Sequence, residues 1–510
     1  MIKHTTSKTA IAAILSLTVT YPASAAVPNT FTAGQAASAA DVNANFTDLD
    51  GRVGALEAAS VNPVAVAINC GTNADALKNA NIKGDTTYNI TGACNGPIYV
   101  EDDNVHLLGS DNTADSIVLP TGLNNESAVF AGGAHNLKIT NLFLDLTGVN
   151  ANDQTAGIWA RDSFVRIADS RIVGGSMGIN PFRAAIVRLD GTNSITEFSK
   201  SGLSASDQSN INTRGQTTVT STRVDDQYMK GVVARNSSSI DIRAGITISV
   251  PTDTDARAVF SEFNASVHIR NSGDVSISGD VRSDQNSSIK IEKGTIAGNI
   301  DVRGSSNLSM NNGIVITGDA RVRESKWTVY GGGSVTGNID IRRSSSLSME
   351  DGVVITGNAR VDSAHWTMED GSITGTIRAG KGGEISFYNV TQTSDDDRAI
   401  DLSSNSMFSA DASNLGRFVA YANSTIELSA YESGSVSIVK GGELHLGSVG
   451  SFSNTSITED IAMFPSSAGH LTGASNLNGN NVYGCSTSSY VDGNTVTGIA
   501  NFATAASDCQ

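Results

Sequence analysis

The chain has 510 residues, 34 basic against 51 acidic, for a formal net charge of −17 at pH 7. An acidic balance of that size excludes nucleic-acid binding through the bulk field of the protein. With 51 glycines, 8 prolines and 5% aromatic residues, the composition also argues against an ordinary leucine- and aromatic-rich globular core.

The first element is a targeting segment. MIKHTTSK carries Lys3 and Lys8, the apolar run AIAAILSLTV follows, and Ala23-Ser24-Ala25 closes it. A basic start, a short apolar core and a small-residue cleavage site predict a secretory signal peptide over residues 1–25, cut after Ala25. The run is shorter than the ~20 residues a membrane-spanning helix needs, and no later segment qualifies. The prediction is export across the inner membrane of a bacterium, to the cell surface or the medium. The mature chain keeps 32 basic and 51 acidic residues, a balance of −19. Acidic glycans then require a local basic patch.

Residues 26–62 read as a separate helical stem. In DVNANFTDLDGRVGALEA, Val42, Phe46, Leu49, Val53 and Leu56 are spaced 4, 3, 4 and 3 residues apart, the seam of a coiled coil. Asp41 precedes them as a candidate N-cap. Such a stripe either packs on its own domain or joins three copies through residues 40–57; Gly51 and Gly54 weaken the helix. The segment resembles the stems of trimeric fibre and spike proteins.

From about Val64 short β-type runs alternate with Gly, Asn, Asp and Ser. AINCGTNADALKNANIKGDTTYNITGACNGPIYVEDDNVHLLGSD places a strand with Cys70, a short helix from Ala74 to Ala80, a strand reaching Cys94, and then strands of the form NVHLLGS. This layout resembles the N-terminal capping turn of secreted right-handed parallel β-helix proteins of the pectate-lyase-like superfamily. The resemblance is one of layout over residues 64–450 and brings no catalytic motif with it.

Opening glycines recur at Gly279, Gly298, Gly318, Gly337, Gly357 and Gly375, at spacings of 19, 20, 19, 20 and 18. Such a period marks a solenoid, each repeat one turn. Period-two alternation fits three short strands into each turn. In GNIDIRRSSSLSMEDGVVIT the inward pairs are Ile339/Ile341, Leu347/Met349 and Val353/Ile355. The predicted fold is all-β: a right-handed parallel β-helix over residues 63–450, with the short N-terminal helical segment before it and a C-terminal capping region over 451–510. Cys70, Cys94, Cys485 and Cys509 allow three disulfide connectivities, of which the local pairs 70–94 and 485–509 are the simplest. Each would close a loop of about 25 residues and contribute ~3 kcal/mol. Neither CxxC nor Cys–His spacing supports zinc.

Two outward columns carry the charge. The first reads Arg282, Asp301, Arg321, Asp340, Arg360, Arg378; the second reads Asp284, Arg303, Arg323, Arg342, Asp362. One reading is an inter-turn charge ladder that holds register. The other is a face for acidic polysaccharide, with Arg303, Arg321, Arg323, Arg342 and Arg360 as binding residues, since guanidinium forks match carboxylates and sulfates. The superfamily resemblance implies carboxylate-bound calcium and a basic Arg or Lys in any lyase. Weak calcium candidates are Asp395, Asp396 and Asp397, with Asp253 and Asp255 as a second acidic turn. NTD-DD-GHG, WIDH and RxPxxR signatures are absent, and NPFRAAIVR (Asn180 to Arg188) is a faint echo of the last. Trp327 and Trp366 share a column with Leu308 and Leu347, so core is expected. The function expected is a secreted or surface-associated structural or binding protein that engages extracellular polysaccharide, without a committed cofactor. The alternatives are a divergent polysaccharide lyase or glycoside hydrolase, and a trimeric adhesin or spike-like fibre.

Overall fold

The computed structural model describes residues 43–44, 63–150, 154–223, 228–252, 255–270, 272–394, 396–430, 437–445, 448–464, 466–472, 475, 482–484 and 491–493. The chain forms two compact units, Met1–Val64 and Ala65–Gln510. The expected signal peptide and stem fall in the first, where only Asn43, Ala44, Pro63 and Val64 are described; apart from Asn43 and Ala44 they lie outside the described residues.

The second unit is a parallel β-solenoid. Among the described residues its three sheets hold 20, 18 and 17 strands, and a regular turn gives one strand to each sheet. We name the sheets by their order after the opening glycine. In the turn from Gly337, Ile339–Arg342 joins the first sheet (18 strands), Ser346–Met349 the second (20) and Val353–Thr356 the third (17). Register is kept for turn after turn: Ile300, Ala320, Ile339, Ala359 and Ile377 lie side by side in parallel pairing.

The inward columns read from the alternation are the core. Ile339, Ile341, Leu347, Met349, Val353 and Ile355 are all 0–1% exposed. One turn cannot bury such a face by itself, so cohesion comes from stacking. Trp327 and Trp366 fill the interior at 0% exposure. Trp366 meets Phe387 edge-on at 5.0 Å, and Phe387 meets Phe408 at 5.2 Å, which continues the aromatic stack across three turns.

Two backbone devices hold the corners. Before the first strand, a Cβ added to Gly337 would lie 2.3 Å from the carbonyl oxygen of Gly318, and one on Gly318 would lie 2.3 Å from that of Gly298. The glycine period is thus set by backbone approaching backbone between turns. Before the second strand a buried serine column takes over. The amides of Ser287, Ser306 and Ser325 each donate to the hydroxyl of the serine one turn on, at 3.3, 3.1 and 3.4 Å. These bonds satisfy amides that the corner would otherwise leave buried and unpaired.

At the start of the solenoid a four-residue helix, Ala76–Asn79, inserts Leu77 into the core at 0% exposure, a shorter helix than the Ala74–Ala80 expected. Cys70 and Cys94 are disulfide-bonded, as the local pairing requires. Cys485 and Cys509 lie outside the described residues. Strands continue past residue 450: on the second sheet Val449–Ser453 pairs in register with Ala468–Thr472 and Ala468–Thr472 with Val491–Gly493, and on the first sheet Ile461–Met463 pairs with Val482–Gly484. The region expected to be a cap over 451–510 therefore contains further turns, at least to Gly493. Phe452, Ile457, Ile461 and Leu471 keep the inward pattern there, while longer corners obscure the period.

Candidate functional site

The outward face of the first sheet gathers the predicted arginines. Pairing places Arg282, Asp301, Arg321, Asp340, Arg360 and Arg378 side by side on successive turns. Arg303, Arg323, Arg342 and Asp362 form the second column, two residues further along each strand. Alternation sends these side chains outward because their neighbours Val302, Val322, Ile341 and Val361 point into the core.

Much of this charge is internally paired. Arg303 bonds to Asp301, two residues before it on the same strand. Arg342 bonds to Asp340 at 2.5 Å, and Arg321 approaches the same carboxylate from the previous turn at 3.6 Å. The Nε of Arg360 donates to Asp362 at 2.9 Å, a bond that raises the guanidinium pKa above its ordinary value. The ladder expected from the alternating signs is therefore present, and it ties adjacent turns together as well as residues within one strand.

Arg323 departs from that pattern. Among the described residues it alone of the five arginines makes no ion pair. Burial, and after it the nearby Arg321, push its pKa below the ordinary value. It stays cationic at any physiological pH. Its neighbours across the strand pairs are Arg303 and Arg342, so three guanidinium groups follow one another along the stack. Arg321 and Arg378 are the most open of the group, with side chains 53% and 61% exposed.

A second column borders the arginines. The residues just after the opening glycines, Asp280, Asn299, Asp319, Asn338 and Asn358, form a ladder at the corner. Each side-chain oxygen accepts the backbone amide one turn on: Asp280 from Asn299 at 2.8 Å, Asn299 from Asp319 at 3.0 Å, Asp319 from Asn338 at 2.7 Å and Asn338 from Asn358 at 3.1 Å. Between this ladder and the charged column lies a cleft of ≈ 570 Å³, lined by Arg321, Asp340, Arg342, Arg360 and Arg378 among others. In the sequence this ladder is carried by the Gly-Asn and Gly-Asp pairs that recur beside the glycine period, a signal separate from the period itself.

An aromatic column on the same face was also missed. Tyr99, Phe130 and Trp159 are outward residues of three consecutive first-sheet strands and pair in register. The Tyr99 and Phe130 rings are 5.9 Å apart. The Arg161 guanidinium lies over Phe130 at 5.5 Å. Further along the sheet Phe260 is in register with Arg282, and Arg257 and Arg282 pack over its ring at 5.1 and 5.6 Å. Turn length hid the first three, since Tyr99, Phe130 and Trp159 fall 31 and 29 residues apart rather than about twenty.

The remaining candidates do not converge. Asp395 and Asp253 lie outside the described residues. The Asp396 carboxylate is taken up locally, accepting the amide of Arg398 at 2.9 Å. Among the described residues no group of three or more His, Cys, Asp or Glu side chains is placed to hold a metal. In NPFRAAIVR, Arg183 sits at a corner with φ +51° and Arg188 pairs with Asp190 at 2.8 Å on the second sheet. His365 lies 3.5 Å from Glu384, also on the second sheet.

No protein-family model matches the chain, and no curated protein matches it. Among solved structures it is similar to that of a PL6 family alginate lyase, AlyGC, at 8% identity, covering 86% of this chain and 100% of that one. The TM-score is 0.18, too low to carry an argument about the chemistry of this chain.

Proposed function

We propose that this chain is an exported β-solenoid that binds acidic polysaccharide along the outward face of its first sheet and holds it without cutting it. The observation that carries the reading is Arg323, which among the described residues makes no ion pair and lies between Arg303 and Arg342, whose guanidinium groups are bonded to Asp301 and Asp340. A carboxylate or sulfate of a glycan would complete its fork. Repetition at about 4.8 Å per turn offers an extended chain the same contact many times over. Tyr99, Phe130 and Trp159 extend the face with rings suited to stacking on the apolar side of a sugar. The cleft beside the asparagine ladder gives such a chain an edge to lie against.

Retention of the mature protein on immobilised pectate, alginate and a sulfated glycan tests this. Arg323→Ala should lose retention and elute at lower salt, because it removes the central guanidinium of the three and the one of them without an ion pair among the described residues. Arg360→Ala, whose charge is spent on Asp362, should change it less. Equal retention of Arg323→Ala and wild type would remove the basis of the reading. Release of unsaturated uronates from any of these glycans would replace it with the lyase alternative.

A further inference from the structure

The third sheet presents a surface unlike the other two. Its strands place two residues outward per turn. From Ser194 to Thr391, ten consecutive turns give a first column reading Ser-Thr-Thr-Ser-Thr-Val-Ser-Val-Ser-Thr. From Thr196 to Thr356, eight turns give a second column reading Thr-Thr-Ser-Ser-Ala-Thr-Thr-Thr. Neither column contains a charged residue, an amide or an aromatic ring. Over the same stretch the first sheet turns out its Arg/Asp ladder, and the second turns out Lys290, Lys326, Glu350 and Glu384. A chain of net charge −17 thus keeps one long face neutral.

That face is open and regular. Thr317, Thr336 and Thr356 are exposed, and Val315 and Val354 are each 41% exposed. The three threonine hydroxyls make no hydrogen bond to any described residue. Parallel pairing repeats each column at about 4.8 Å, and the two columns stand about 6.6 Å apart, two residues along a strand. Ten turns extend the array over roughly 43 Å at that spacing.

The chemistry of the array limits its occupant. A protein partner would be expected to find Trp, Tyr or Arg anchors, and there are none. A polyanion needs cations, and a neutral crystalline glycan needs flat rings for stacking. Charge complementarity points to a neutral partner, and strict periodicity points to a lattice. Threonine and valine methyl groups restrict the orientation of the water beside them. Each hydroxyl both donates and accepts. The sheet fixes these groups before binding, so little ordering is left to be done. We propose that the outward face of the third sheet binds ice, its two columns holding ranks of water that join the crystal lattice. This proposal is independent of the glycan reading, which concerns the first sheet.

The test uses the full chain in dilute buffer. Nanolitre osmometry should show a gap between melting and freezing points with faceted crystals, and fluorescently labelled protein should be taken up by a growing ice hemisphere. Thr336→Lys, between the exposed Thr317 and Thr356 in the second column, should lower both effects several-fold with circular dichroism and melting temperature unchanged. Ser309→Lys, outward on the second sheet, should leave both effects intact and control for added charge. Exclusion of labelled wild-type protein from ice, or a folded Thr336→Lys as active as wild type, would overturn the proposal. So would retention on particulate crystalline glycan that Thr336→Lys abolishes while ice is ignored.

Discussion

Replacing Gly337 with alanine tests whether backbone contact between turns, rather than turn geometry alone, sets the repeat. Gly337 has φ +150°, and the new Cβ would lie 2.3 Å from the Gly318 carbonyl oxygen and 2.5 Å from its carbonyl carbon. Both obstacles are backbone, so no side chain can swing aside. Turns must part locally, straining the bonds that join these two turns, from the Gly318 amide to the Thr336 carbonyl at 2.9 Å and from the Ala320 amide to the Asn338 carbonyl at 2.8 Å. At roughly 0.5–1.5 kcal/mol per hydrogen bond, the two lost bonds cost about 1–3 kcal/mol. The unfavourable φ adds about 1–2 kcal/mol, for a total near 2–5 kcal/mol. Gly352→Ala is the matched control. It has φ +85°, but its nearest obstacle is the Asp370 carbonyl oxygen at 3.3 Å, so only the conformational cost applies. Urea denaturation followed by circular dichroism should place the Gly337→Ala midpoint clearly below that of Gly352→Ala. If the two coincide, close approach of turns is not what the glycine column provides.

Other outcomes follow from the core, the charges and the disulfide. Trp366→Ala empties a fully buried site and its edge contact with Phe387, and should cost about 3–5 kcal/mol in the same denaturation assay. Asp241 on the second sheet accepts Arg243 and Arg270, each at 2.7 Å; burial works to raise its pKa, but the two guanidinium groups outweigh it and hold the carboxyl below the ordinary range. A depressed folded pKa means that this stability is present above the unfolded value of about 3.9 and is lost as pH falls through the lower folded value. The melting temperature of wild type should therefore exceed that of Asp241→Asn at pH 6, with the gap closing below about pH 4; a pH-independent gap would contradict the assignment. Cys70→Ser, which opens a loop with a sequence separation of 24, should destabilise the first turns by about 3 kcal/mol and bring forward proteolysis near Leu77.

The solenoid was legible in the sequence because each turn obeys local rules that repeat. Period-two alternation selects Ile339 and Ile341 for the inside whatever the neighbouring turn contains, and a recurring glycine marks the corner. Strand pairing in a stack follows once turn length is constant, which is why Arg321, Asp340 and Arg360 were placed on one line correctly. Where turn length varies, the same physics leaves no period. Tyr99, Phe130 and Trp159 align only because loops of different length return the chain to the same sheet, and uneven turns hide the strands beyond residue 450 in the same way.

The sequence by itself determined which residues face in and which face out, since that depends on parity along each strand. It also determined the columns of the regular turns. Only the tertiary structure decided how the outward charges spend themselves. Ion pairing depends on distances between side chains on different turns: Asp340 receives both Arg342 and Arg321 while Arg323, in the same column as Arg342, receives no carboxylate. The neutrality of the third face was likewise written in the letters, but whether those threonines formed one surface required the register that stacks them.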